Sequence, residues 1–403
     1  MKNILSLFSG CGGMDIGFEG NFWVYKGSVN TLKHPNWIKR KSGKNVLLNP
    51  TGFTTIFSND IMKEAAIAWK LYFKGKENIY HSESIVDLVK KHKLGENIFP
   101  CNVDIVIGGF PCQDFSLAGK RKGFNSQKNH LGKNTINIPT NENRGCLYMW
   151  MRDVIEIVKP KIFFAENVKG LVSLGDAKKV IESDFASIDK DGYFIFPAKV
   201  LNAGEYGVPQ KRERIIFIGL NKAFLNPGII EKIETKQIDL YPPITHNINN
   251  KKNDDEKLFP IVKTRDVLSD LLEPDLSNDY SQKSYSKAKY MTKGQGNKEI
   301  DLNGLAPTIR AEHHGNIEFR RLSKEHGGKY LDELKKGLCE RRLTVRECAR
   351  IQTFPDSYEF VKPNILSSSA AYRIIGNAVP PLLAYNVAKH ISEIWDILFK
   401  KSS

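Results

Sequence analysis

The chain has few cysteines, and none of them is paired in sequence. The six, at positions 11, 101, 112, 146, 339 and 348, show no CxxC and no framework spacing. That argues against a disulfide-stapled secreted fold and a cysteine-rich zinc site, and predicts reduced thiols in a cytosolic protein with no bound metal. No apolar run approaches the length of a membrane span, so no membrane partner is expected. The opening MKNILSLFSG enters a strand directly, without a secretory apolar region, and a cytoplasmic location is expected. No internal repeat is found. Acidic residues are also short, with 45 Asp and Glu against 60 Lys and Arg and a net charge of +15. Such an imbalance points to a polyanionic partner, although a lysine-rich proteome writes the same bias on every surface.

What is present is a chain of 403 residues, long enough for a large core and two domains. Its first half alternates strand and helix patterns. ILSLF (4–8), TTIFSN (54–59), VDIVIGG (103–109), KIFFAEN (161–167), YFIFPAKVL (193–201) and RIIFIGL (214–220) read as strands. IMKEAAIAWKLYF (61–73), LYMWMRDVIEIV (147–158) and a segment near 177–190 carry helical spacing. The alternation predicts an α/β fold, a doubly wound Rossmann-like sheet that is mostly parallel. After about residue 221 the texture becomes irregular and basic, with a polar linker at NINNKKNDDEK (247–257). Regular patterning returns at LTVRECARIQTF (343–354) and at 370–399, where two prolines precede an amphipathic helix. The expected division is a catalytic domain over 1–221, completed by 368–403, and a smaller irregular domain over 222–367 that includes the helical 343–354.

Several short stretches carry chemistry. FSGCGGMDIGFE is strand, glycine-rich turn and helix, a geometry that brings a ligand close to backbone at a helix start, though ordinary strand-to-helix turns use glycine too. Asp60, at the end of the next strand, suits a ribose contact. It lies more than twice the usual interval of about 20 residues past Gly13, so 21–50 reads as an insertion. GGFPCQDFS (108–116) puts Cys112 at a strand exit, where it is either a small core residue or a nucleophile. The following GKRKGFNSQKNHLGK (119–133) reads equally as a solvated loop or as a lid over a thiol. FFAENV places Glu166 and Asn167 at a strand end, where burial would raise a carboxyl pKa and a capping or pairing role competes with a proton-donating one. In YGVPQKRERIIFIG, alternation predicts Gln210, Arg212 and Arg214 on one strand face.

Taken in order, FxGxGG, GGFPCQ, ENV, QKRER, RxLTxRExARxQxFP and GNAVP resemble the cytosine-5 DNA methyltransferases, of the bacterial restriction-modification type. The resemblance runs from Leu5 to about Leu383 and is weakest over 222–340, where that family's target-recognition segment varies.

The resemblance implies that Cys112 attacks C6 of a cytosine swung out of the duplex. Glu166 would protonate N3, and Arg214 would hold O2, with Arg212 and Gln210 ordering the site. The cofactor implied is S-adenosyl-L-methionine, leaving as S-adenosyl-L-homocysteine. Phe8, Gly10, Cys11, Gly12, Gly13, Asp60, Ile61, Pro111, Asn377 and Val379 would form its pocket. Ser84 stands where the family often has an aspartate for the adenine amino group, which leaves that contact open.

Double-stranded DNA is the implied partner. A lid over 113–133 with Gln113, Ser116, Lys120, Arg121 and Lys122 would close on it, and base flipping would cost a few kcal/mol of unstacking. Within GLAPTIRAEHHGNIEFR (304–320), Thr308, Arg310, His313 and His314 are the expected base-edge contacts. Arg346 and Glu347 are expected to form an internal ion pair. The implied biology is a monomeric, nucleoid-associated bacterial modification enzyme beside a restriction nuclease with which it forms no stable complex. The alternative is a transfer-RNA cytosine-5 methyltransferase on the same fold. The Cys-Phe-Thr motif of that branch does not occur here, and the 222–340 segment is long.

Overall fold

A computed structural model describes residues 1–111, 147–189, 192–248, 257–312 and 315–401. Strand β1 (Lys2–Leu7) runs through the glycine turn into helix α1 (Gly13–Glu19). The stretch after α1, read as an insertion, forms a small antiparallel sheet of β2 (Trp23–Tyr25), β3 (Ile38–Ser42) and β4 (Asn45–Leu48), in the order β2-β4-β3. The alternating pattern then resumes with β5 (Phe53–Asn59), α2 (Lys63–Tyr72), β6 (Tyr80–His81), α3 (Ile85–Lys93) and β7 (Ile105–Gly109). It continues through α4 (Leu147–Val158), β8 (Ile162–Val168), α5 (Ala177–Ala186), β9 (Tyr193–Asn202) and β10 (Glu213–Asn221).

Among the described residues seven strands make one sheet, in the order β6-β5-β1-β7-β8-β10-β9. The pairs from β6 to β8 are parallel, and β10 runs antiparallel to both β8 and β9. This is the doubly wound α/β sheet expected, with an antiparallel edge. Its order reverses between β1 and β7, so the crevice that such sheets use for ligands opens at the carboxyl ends of those two strands.

The central strands are apolar throughout because both of their faces are covered. Ile4, Ile105, Ile107, Ile162 and Phe164 point into one core, shared with Ile16, Trp69 and Leu383. Their neighbours Leu5, Leu7, Val106, Phe163 and Ala165 point into the other, shared with Val86, Met151, Ile155 and Phe185. The period-two alternation of each strand thus divides its side chains between two helical layers. Helix α4 follows its sequence pattern closely, burying Tyr148, Met151, Ile155 and Val158 at helical spacing.

The second half adds α6 (Ile229–Glu234), the short pair β11 (His246–Asn247) and β12 (Phe259–Pro260), α7 (Thr264–Leu268) and α8 (Tyr280–Lys283). Strand β13 (Phe319–Arg321), α9 (Leu331–Lys335), β14 (Arg341–Arg342) and α10 (Val345–Ile351) follow, and then α11 (Ser368–Asn377) and α12 (Pro381–Leu398). Residues 222–241 stay with the sheet: the Tyr241 hydroxyl donates to the Ile216 carbonyl, and the Asn226 amide donates to Leu398. Helix α10 starts where its capping box dictates. Thr344 Oγ1 accepts from the Glu347 amide, and Glu347 Oε2 accepts from the Thr344 amide. Helix α12 returns along α1, which carries the chain's last motif back to its first turn.

The expected Arg346–Glu347 pair does not form. Arg346 Nε reaches Asp279 at 2.6 Å, while Glu347 takes a two-pronged contact from Arg341 at 2.8 and 2.9 Å. Adjacent residues on a helix project in different directions, so each finds its partner on a different neighbour. Among the described residues no helix is long and apolar enough to cross a membrane.

Candidate active site

The glycine turn bends sharply at the end of β1. Phe8, Gly10 and Gly12 all have positive φ, at 51°, 55° and 78°. A Cβ at Gly10 would meet nothing within 4 Å, so this residue lines open space. Gly13 is the opposite case. A Cβ there would lie 2.3 Å from the Val379 carbonyl, and only glycine lets the GNAVP segment press onto the turn. Asp60 holds the turn from the side, its Oδ2 accepting from the Gly10 amide at 3.0 Å and its Oδ1 from the Met62 amide at 2.8 Å. Burial raises its pKa, and those backbone donors oppose the rise. Ile61 next to it is 43% exposed, an apolar side chain left open beside the turn. Phe8 and Pro111 are half-buried, and Asn377 is exposed at the end of α11.

Two of the expected cofactor residues have partners within the fold. Cys11 points into the core, where its thiol reaches the Ile374 carbonyl and burial pushes its pKa up, while its own carbonyl accepts from Tyr358. Its side chain packs the turn against α11. Ser84 is the N-cap of α3, accepting from the Val86 amide at 3.3 Å. Asn59 ties that segment to β5 by donating to the carbonyls of His81 and Glu83.

On the far side of the crevice, Glu166 lies in β8 between Gly109 of β7 and Ile216 of β10. Its Oε1 accepts from Arg214 Nε at 2.7 Å. Its other oxygen presses on the neighbouring strand, where a Cβ at Gly109 would lie only 2.7 Å from Oε2. Burial raises the carboxyl pKa despite Arg214 and Arg212 nearby. The site therefore holds a carboxyl more readily protonated than an ordinary one, braced by a permanent cation. Asn167 beside it donates to the Phe110 carbonyl at 3.2 Å and so fixes the backbone that leads to Cys112. Cys112 itself, with Gln113, Ser116, Lys120, Arg121, Lys122, His313 and His314, lies outside the described residues.

The single face expected for Gln210, Arg212 and Arg214 does not exist, because β10 begins only at Glu213. Arg214 pairs with Glu166, and Arg212 stands near enough to act on its charge. Arg212 is fully buried, and it donates to the carbonyls of Ile309, Gly376 and Ala378 at 2.8–2.9 Å. Gln210, also buried, accepts from the Ile309 amide and donates to Gln352, which in turn donates to the Ile375 carbonyl. These two are positioning residues that stitch the 304–312 segment and the GNAVP helix to the base of β10. Thr308 donates its hydroxyl to the Lys211 carbonyl, and Arg310 reaches Gln295, the Asn316 carbonyl and Glu318. Both remain half-exposed next to the site.

The profile of the C-5 cytosine-specific DNA methylases matches residues 2–393. The chain belongs to that family. Type II methyltransferase M.BsuRI of Bacillus subtilis is 33% identical, over 100% of this chain and 81% of the relative. M.BspRI of Lysinibacillus sphaericus is also 33% identical, over 97% of this chain and 81% of its own. The structure of S. pombe Dnmt2 methyltransferase aligns with a TM-score of 0.55 at 16% identity, over 98% of this chain and 99% of that one, a likeness of fold. C-5 cytosine DNA methylases take their methyl group from S-adenosylmethionine. The residues here fit it: Gly10 leaves an open cradle, Asp60 is an acceptor for hydroxyls, and Ile61 offers an exposed apolar surface for a flat ring.

Proposed function

We propose that this methylase modifies C5 of a flipped-out cytosine within one short word of double-stranded DNA. The observation that carries the reading is the Glu166–Arg214 pair, set in one crevice with the glycine turn and with the strand exit that leads to Cys112. C5 of cytosine is a weak nucleophile until C6 is attacked. Cys112, as thiolate, adds to C6, and Glu166 gives its proton to N3, so that the ring electrons gather at C5. Arg214 binds O2 and keeps Glu166 aimed, leaving Oε2 for the base. S-adenosylmethionine, held by Gly10, Asp60 and Ile61 beside Phe8, would supply the electrophilic methyl group that C5 takes. Water takes the C5 proton, its electron pair restores the C5–C6 double bond and expels the Cys112 thiolate, Glu166 recovers the N3 proton, and S-adenosylhomocysteine would leave.

Recognition falls to the part of 222–367 that lies beyond the sheet-packed 222–241, with Thr308 and Arg310 beside the base pocket and the lysines of the chain on phosphates. The biological role is a monomeric modification enzyme of the bacterial cytoplasm, acting on the nucleoid and paired with a nuclease of the same specificity. Trapping tests the chemistry. A mixed-sequence duplex carrying 5-fluorocytosine cannot release its C5 substituent, so a protein–DNA adduct that survives denaturation should accumulate when methyl donor is present. Cys112→Ala should abolish it. An adduct that persists in Cys112→Ala would remove Cys112 from the mechanism.

A further inference from the structure

Beneath the glycine turn lies a carboxylate that the reaction does not use. Asp15, in the first turn of α1, is fully buried and collects three donors from three elements. Ser6 of β1 donates to Oδ1 at 2.6 Å, while Ser58 of β5 and the Trp69 indole of α2 donate to Oδ2 at 3.2 and 2.6 Å. Two of these contacts lead straight to the turn. Ser6 Oγ accepts from Ser9 Oγ at 2.9 Å, and Ser9 in turn accepts the Gly12 amide on its carbonyl. The Trp69 ring lies where a Cβ of Gly12 would come within 2.7 Å of it, so the indole forms the wall against which the turn rests.

We propose that Asp15 is the positioning residue of the cofactor turn, setting Ser9 through Ser6 and Gly12 through Trp69, so that affinity for an adenosyl ligand follows the ionisation of a carboxyl the ligand never touches. The inference rests on the reading that this turn binds S-adenosylmethionine. All three groups around Asp15 can donate to an ionised carboxylate, and a protonated carboxyl would bring a fourth hydrogen among them. Protonation is accommodated at Oδ1, where Ser6 turns from donor to acceptor and must redirect its own hydrogen toward Ser9, so the event reaches the turn through Ser9. The indole N–H, fixed on Oδ2, senses the lost charge as a weaker hydrogen bond. Burial raises the Asp15 pKa to about 6, against the three hydrogen bonds, which brings this event close to working pH. Among the described residues the other titratable groups facing it are Cys11 at the turn, Tyr80 on β6, Tyr358 after α10, and Glu19, which is paired with Lys76, while Asp60 faces Cys11 and Tyr80.

The test is S-adenosylhomocysteine binding to the full chain, measured by calorimetry across the acid-to-neutral range, together with tryptophan emission of the ligand-free protein. Wild type should bind about tenfold more weakly at the acid end, and its emission should change with the same midpoint. Asp15→Asn should bind weakly with no such pH dependence, and Trp69→Phe should lose the emission change. A pH profile that survives in Asp15→Asn would assign the effect to Asp60 and overturn the proposal, as would an emission change that survives in Trp69→Phe. Should Asp15→Asn fail to fold, wild-type affinity that stays flat with pH overturns it equally. Wild type that binds no adenosyl ligand at any pH would defeat the cofactor reading instead, while the emission titration would still decide the link between Asp15 and Trp69.

Discussion

Arg214 and Glu166 meet across the antiparallel β8–β10 pair, Nε to Oε1 at 2.7 Å, with both side chains largely withdrawn from water. The guanidinium cannot give up its proton, so the carboxyl is the group of the pair that titrates. Burial outweighs the cation and leaves Glu166 with a raised pKa, which suits the proton-donating role proposed for it. Glu166→Gln should lower kcat by roughly 10²–10⁴-fold while S-adenosylhomocysteine affinity holds within about twofold. Equal losses in both would mark Glu166 as a structural residue.

The pH dependence follows with a defined sign. A general acid works while protonated, so the wild-type chemical step should decline as pH rises through the raised Glu166 pKa. Single-turnover rates of Glu166→Gln should lack that limb. Stability carries the same signature. A carboxyl whose folded pKa exceeds its unfolded value stabilises the fold at low pH and loses that contribution as pH climbs between the two. Urea unfolding across that window should show a steeper fall in wild type than in the glutamine variant, which keeps the fall due to Asp15 and Asp60.

Arg212 and Arg214 stand two residues apart and should fail in different ways. Arg212→Lys removes the fork that serves the Ile309, Gly376 and Ala378 carbonyls, and unpaired buried groups cost about 1–3 kcal/mol each. A drop in Tm with weaker binding of cofactor and DNA alike is the expected result. Arg214→Lys should keep the wild-type Tm and lose kcat. Thermal melts beside steady-state kinetics separate the two.

Gly109 is a spacing device. A methyl group there would lie 2.7 Å from Glu166 Oε2, and the carboxylate is the softer neighbour. Gly109→Ala should displace Glu166 and cost about 10²-fold in kcat, since misplacement by about an ångström has that effect. S-adenosylhomocysteine affinity should not change, and calorimetry checks it.

The 23–48 insertion is tied to three distant parts of the chain. Trp37 donates to Glu393 on α12, buried Asn30 donates to the Thr245 and Lys257 carbonyls, and Lys44 pairs with Asp270 beyond α7. Asn30→Ala removes a buried amide that donates to those two carbonyls and accepts from the Leu32 and Lys33 amides, and should cost about 1–3 kcal/mol of stability. Lys44→Ala breaks a half-exposed pair and should cost under about 1 kcal/mol. Chemical denaturation of the two variants ranks them, and the reverse order would assign the anchoring to the charge pair.

The sheet was legible because each central strand is a short apolar run bounded by turn residues, and α4 because its buried side chains recur at helical spacing. Glu166 and Arg214 stood out in the sequence as a carboxylate and an arginine at strand ends, and the fold pairs them. Three features were not. The inserted strands are short and carry exposed lysine and arginine on β3, which resemble a loop to any pattern. Gln210 and Arg212 precede the strand whose alternation seemed to include them, and only the folded positions of Ile309 and Gly376 show what they hold. Asp15 looks like an ordinary first-turn acid beside glycines, because its three donors come from residues 6, 58 and 69 and meet only in the fold.

The account turns on the substrate. Labelled S-adenosylmethionine offered to mixed-sequence duplex DNA and to transfer RNA, followed by base-resolution mapping of 5-methylcytosine, tests it directly. Label confined to cytosines of one short DNA word, and lost in Cys112→Ala, is the predicted result. Label in transfer RNA with none in DNA would contradict it.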